Sequence, residues 1–202
     1  MTAIKQKKPT FGLAIDWETT GINWGNHDKT AEIYQGISYG VAIFRWKDFE
    51  IIDTLYREIK FIDSEYKWDD GAAKIHGLSR EHLEKNGVTQ EEALCDLIEF
   101  AEPYFGSPLS NIWFLGHHID FELKITDHLF KKFGIDLDIN NMFKIDTVGA
   151  SMIAFGDYKS EALFQRLGFG ERTIHNALDD VVKTVQAAQA IHLLVQAGLG
   201  EI

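Results

Sequence analysis

"FGLAIDWETTG", residues 11–21, begins as an apolar run of strand length and breaks into a polar cluster. Asp16 and Glu18 stand two apart at the end of that run, so in a strand both carboxylates point to the same face. Two carboxylates on one face repel each other unless a cation lies between them. Spacing alone fits equally a strand end that reaches solvent, with Thr19, Thr20 and Gly21 as its turn.

Residues 37–46 and 50–61 are rich in β-branched and aromatic residues and are separated by a turn-like segment, which predicts a hairpin. Residues 69–87 mix short helical turns with glycine breaks. Thr89 and Glu92 stand in capping-box spacing before the helical pattern of 89–106. "NIWFLG" (111–116) reads as a buried strand, 120–134 as a helix and 143–146 as a short strand. Helices are expected over 147–156, 160–168 and 176–198. Strands first, then alternating helices and strands, imply one α/β domain over residues 11–202 around a mixed sheet. The loop 22–35 matches no pattern.

The 202 residues are 45% hydrophobic and 25% charged, as in an ordinary globular chain. No apolar run approaches the ~20 residues of a membrane helix. The basic start "MTAIKQKKPT" (1–10) has no apolar stretch behind it, so it reads as a flexible tail, not a secretory signal. Cys95 is the single cysteine, which excludes a disulfide framework and thiolate zinc sites and makes a reducing, cytoplasmic setting the expectation. A net charge of −11 argues against a broad basic face for duplex nucleic acid. Acid clusters suit oxygen-seeking Mg²⁺ and Mn²⁺.

In "GHHIDFELKI" (116–125) two acids flank Phe121. On a helical wheel with Phe121 at zero, Ile125, Leu129 and Phe133 fall at roughly 40°, 80° and 120°, centring the apolar arc near Glu122. Asp120 falls on the wet side at roughly 260° and suits an N-cap. An acid within a buried face is costly unless a cation pairs it, which favours Glu122 as the working group. In "IHNALDDVVKT" (174–184), Asp180 borders the arc of Val181, Val185 and Ala188, with His175 ahead of it. Asp179 lies on the polar side, four residues before Lys183.

Together these segments resemble the DEDDh, or DnaQ-like, group of 3′–5′ exonucleases. "DWETTG" matches the first motif, "HHIDFE" the second and "HNALDD" the third, a His-x4-Asp pattern. "AAKIHGLS" (72–79) and "DTVGA" (146–150) lie where the family carries a His-Gly turn and a helix opening. At the second motif His118 stands where the family usually has Asn, and Glu122 where it usually has Asp. A register that uses Asp120 instead stays open.

The resemblance implies an RNase H-like fold with a mixed sheet of about five strands flanked by helices. It implies two Mg²⁺ or Mn²⁺ ions held by Asp16, Glu18, Glu122 (or Asp120) and Asp180, with His175 as general base. Hydrolysis from a single-stranded DNA or RNA 3′ end would release 5′-mononucleotides, with a DNA polymerase as a further partner. Thr19, Thr20, His76 and Trp17 are the expected substrate contacts, and Trp17, Trp24 and Phe121 are aromatic candidates for base stacking. The rival expectation is a module of this fold, weakened in catalysis, that binds nucleic-acid ends or a polymerase.

Overall fold

A computed structural model describes residues 9–139 and 142–199; most of the basic tail expected over 1–10 lies outside them. Five strands form one sheet in the order β3-β2-β1-β4-β5. β1 (Phe11–Thr19) leads through a 3₁₀ turn (His27–Lys29) and α1 (Thr30–Ile33) to β2 (Gly36–Arg45), which pairs antiparallel with both β1 and β3 (Glu50–Glu58). α2 (Asp70–His76), α3 (Arg80–Asn86) and α4 (Gln90–Phe105) follow, and β4 (Trp113–Gly116) enters parallel to β1. After α5 (Ile119–Lys132), β5 (Phe143–Asp146) runs parallel to β4. The chain ends in α6 (Thr147–Phe155), α7 (Ser160–Arg166) and α8 (Ala177–Leu199). Among the described residues no helix is long and apolar enough to cross a membrane.

The elements form where the patterns predict. Thr89 and Glu92 close a reciprocal capping box on α4. The one corrected cap is at α5: the helix starts at Ile119, so Asp120 is the second helical residue and not the N-cap. Asp146 satisfies the free backbone N–H groups there, accepting from His118 at 3.1 Å and Ile119 at 3.2 Å. His118 itself sits at φ 62°, ψ 44°. That left-handed region is one that His enters more readily than most residues.

The pleat of β1 divides two cores. Leu13, Ile15 and Trp17 pack with the α4 and α5 side, while Ala14 packs with Ala42, Phe44, Val181 and Val185 under α8. Each large side chain so buried contributes roughly 1.5–3 kcal/mol. Asp16 and Glu18 share Ala14's parity and therefore face α8. Gly40 pairs with Asp16 in register, and a Cβ there would lie 2.2 Å from the Ala177 carbonyl oxygen. The glycine lets the first turn of α8 rest directly on the sheet.

Candidate active site

Three elements converge on one cleft of about 650 Å³. β1 supplies Asp16 and Glu18, α5 supplies Glu122, and α8 supplies Asp180. His175 approaches from the segment before α8. Asn176 caps that helix, its side-chain oxygen accepting from the N–H groups of Leu178 and Asp179 at 3.1 Å each. The cap fixes the first turn and with it Asp180. The His175 backbone N–H donates to the Ile75 carbonyl at 2.9 Å, which ties the histidine to the end of α2.

The wheel's division of the two α5 acids agrees with their burial. Glu122 is 5% exposed, and one of its oxygens accepts the backbone N–H of Trp17 at 2.8 Å. The Asp120 side chain is 73% exposed and ion-paired to Lys144 at 2.9 Å. Both border the cleft, but only Glu122 lies among the buried acids.

Crowding shows in the electrostatics. Burial first, then Glu122, Glu18 and Asp180, hold the Asp16 carboxyl well above the usual range. Burial and Asp180 push Glu18 up to about 8. Glu122 is raised by burial and its acidic neighbours against the opposing Trp17 N–H. Asp180 is raised by burial although Arg172 pulls it down. Such a cluster favours protons or a cation. Donor atoms of Glu18, His175 and Asp180 lie within 4.8 Å of one another, so the group can hold an ion. An oxygen-rich set with one imidazole suits Mg²⁺ or Mn²⁺.

The residues expected to contact substrate each have partners within the fold. Thr20 is fully buried, donating to the Lys67 carbonyl at 2.6 Å and accepting from the Gln35 N–H at 3.0 Å. The Thr19 hydroxyl closes its own turn on the Gly21 carbonyl at 2.9 Å. His76 is buried; its Nδ1 accepts from the Leu78 N–H at 3.1 Å, and burial lowers its pKa to about 4. Trp17 borders the cleft, but its indole packs in the core and donates to the Thr126 hydroxyl at 3.0 Å. The Thr19 and Thr20 hydroxyls and the Trp17 indole N–H are thus bonded within the fold, while His76 Nε2 has no hydrogen-bond partner among the described residues. Trp24, 80% exposed, and the half-buried Phe121 also border the cleft.

Arg172 escaped the sequence reading. Its guanidinium is 4% exposed and reaches Asp180 at 2.7 Å. A lone arginine three residues before His175 carries no periodic signal, because its partners come from α7 and α8.

The solved structures that match share this architecture. A structure of exonuclease I bearing on how processivity is achieved superposes with a TM-score of 0.73 at 16% identity, covering 90% of this chain and 40% of that one. The fold is that of the matched part of exonuclease I. The E. coli enzyme in complex with a dT13 oligonucleotide also gives 0.73 at 16% identity, over 90% of this chain and 41% of that one. Its zinc-bound form with single-stranded DNA gives 0.71 at 16%, over 89% and 40%. This chain thus spans about 40% of the length of exonuclease I. No protein-family model and no curated protein matches the chain.

Proposed function

We propose that the protein is a divalent-metal-dependent 3′–5′ exonuclease acting on single-stranded nucleic acid. The observation that carries this reading is the convergence of Asp16, Glu18, Glu122 and Asp180, from β1, α5 and α8, on one cleft beside His175. Such a set of acids is costly to bury without a cation. The binding of single-stranded DNA by exonuclease I, which has the same fold, supports the choice of substrate.

Two Mg²⁺ or Mn²⁺ ions would be held by Asp16, Glu18, Glu122 and Asp180, and when bound they supply Lewis-acid stabilisation of the attacking and leaving oxygens. The chain's own residues do the rest. Asp16 and Glu18 hold their carboxylates on one rigid strand. The Trp17 N–H fixes one Glu122 oxygen and leaves the other for a cation. His175 accepts the proton from the attacking water; its Nδ1 lies 3.7 Å from Asp180 and its Nε2 3.4 Å from Glu161. Phe121 and Trp24 offer faces for bases at the mouth of the cleft.

The test is Mg²⁺-dependent release of mononucleotides from matched DNA and RNA strands labelled at the 3′ end, abolished by Asp16→Ala. Turnover on either strand supports the reading and assigns the sugar preference. Binding of the strands with no turnover in Mg²⁺ or Mn²⁺ replaces the enzyme with an end-binding module.

A further inference from the structure

Asp180 is held by a cation that belongs to the protein. Nη1 of Arg172 lies 2.7 Å from Asp180 Oδ1, and both side chains are almost sealed from solvent, at 4% and 5% exposure. The guanidinium is anchored on its far side as well. Nη2 donates to the Ser160 hydroxyl at 2.7 Å and pairs with Glu161, while the guanidinium plane lies 5.1 Å from the Phe164 ring. Ser160, Glu161 and Phe164 all belong to α7, so the arginine bolts α7 to the first turn of α8. The other Asp180 oxygen, Oδ2, is the one facing His175.

Resting on the metal-dependent reading above, we infer that Arg172 is a positioning residue for the cation site: it fixes Asp180 through Oδ1 and so presents Oδ2 toward Glu18 and His175. The planar fork of arginine suits this, since one terminal nitrogen can hold Asp180 while the other stays docked on α7. Metal-binding carboxylates generally owe their aim to such outer partners, whose loss weakens metal affinity about 10–100-fold. The charge of Arg172 acts the other way, because a guanidinium beside the site repels an incoming cation. The two effects predict opposite outcomes, and that makes the inference testable.

Mn²⁺ affinity is measured by the electron paramagnetic resonance signal of free Mn²⁺ for the wild type, Arg172→Gln and Arg172→Lys, with melting in EDTA as the fold control. Positioning predicts about 10–100-fold weaker Mn²⁺ binding in Arg172→Gln and incomplete rescue by lysine, which restores the charge without the fork. Unchanged or tighter binding in Arg172→Gln overturns the inference and makes Arg172 a bystander or a competitor of the metal. If Arg172→Gln does not fold, Ser160→Ala combined with Glu161→Gln frees the far side of the guanidinium. Several-fold weaker Mn²⁺ binding then supports positioning, and unchanged or tighter binding overturns it. A wild type that binds no Mn²⁺ refutes the metal-dependent function itself, an outcome distinct from any effect of Arg172.

Discussion

The backbone N–H of Trp17 donates to the Glu122 carboxylate at 2.8 Å, joining the central strand to the first turn of α5 across 105 positions of sequence. That bond aims Glu122 into the cluster, whereas Asp120, two residues earlier, points to Lys144 and solvent. Glu122→Gln keeps the size but loses the negative charge, and its single oxygen cannot both accept the Trp17 N–H and face a cation. It is expected to lower the nuclease rate by about 10²-fold or more, since a lost metal contact is worth several kcal/mol. Asp120→Asn removes an exposed ion pair of about 0–1 kcal/mol and leaves the rate within about 3-fold. Single-turnover rates on a 3′-labelled strand rank the two, and the reverse ranking would move the ligand to Asp120.

Gly40 controls how closely α8 approaches. Gly40→Ala places a methyl group 2.2 Å from the Ala177 carbonyl oxygen, a backbone atom that moves only with its helix. Overpacking of this kind costs about 1–3 kcal/mol. Because Asp180 lies one turn further along α8, the shift also withdraws a carboxylate from Asp16. Urea denaturation gives the stability loss and Mn²⁺ titration the accompanying drop in affinity; a stable variant with native affinity would show that α8 tolerates the displacement.

The framework was legible in the sequence for a physical reason. Strand and helix periodicities are local, so 11–16, 37–46 and the α4 capping box could be placed without knowing their neighbours. The wheel identified Glu122 as buried even though α5 begins one residue earlier than assumed, because the apolar arc sets the phase and not the cap. Side-chain destinations were not legible. Thr20 has the composition of a ligand contact, yet Lys67 and Gln35 consume its hydroxyl, and neither is predictable from the spacing around it. Arg172 and Asp146 were missed likewise, since each acts on an element distant in the chain.

His175 separates base from ligand. Its Nδ1 lies 3.7 Å from Asp180 Oδ2, and it belongs to the group of donor atoms able to hold an ion. As general base its removal in His175→Ala costs about 10²–10⁴-fold in rate and leaves Mn²⁺ affinity near the wild-type value. Parallel collapse of affinity would recast the imidazole as a ligand.

The raised carboxylates make the metal-free protein sensitive to alkali. Burial and Asp180 push Glu18 from 4.5 up to about 8, so between those values the folded state keeps a proton that the unfolded chain has released. Stability falls with pH wherever the native state binds more protons. Glu18's contribution is therefore fully present below pH 4.5 and is lost as pH rises through about 8. In EDTA, the melting temperature of the wild type relative to Glu18→Gln should decline from pH 5 to pH 9. A flat difference would refute the shift. With saturating Mg²⁺ the decline should vanish, because the cation favours the ionised carboxylate, and metal binding should release protons in this range.

Trp24 is the more exposed of two exposed aromatics at the cleft, Tyr158 being the other, and sits on a loop braced at both ends. Asn23 Oδ1 accepts from the N–H groups of Gly25 and Asn26 at 3.2 Å each, and Asp28 pairs with Lys124 of α5. The bracing holds at the cleft an indole that is 80% exposed, where a base could stack at little ordering cost. Base stacking on an aromatic side chain is worth about 1–3 kcal/mol, which corresponds to about 5- to 150-fold in Kd. Trp24→Ala in an Asp16→Asn background, where cleavage is suppressed, should weaken binding of a fluorescent single strand by that factor. Trp24→Phe should recover most of it, because a ring face and not the indole N–H is what the base meets. Equal anisotropy titrations for all three proteins would place the strand on another path out of the cleft.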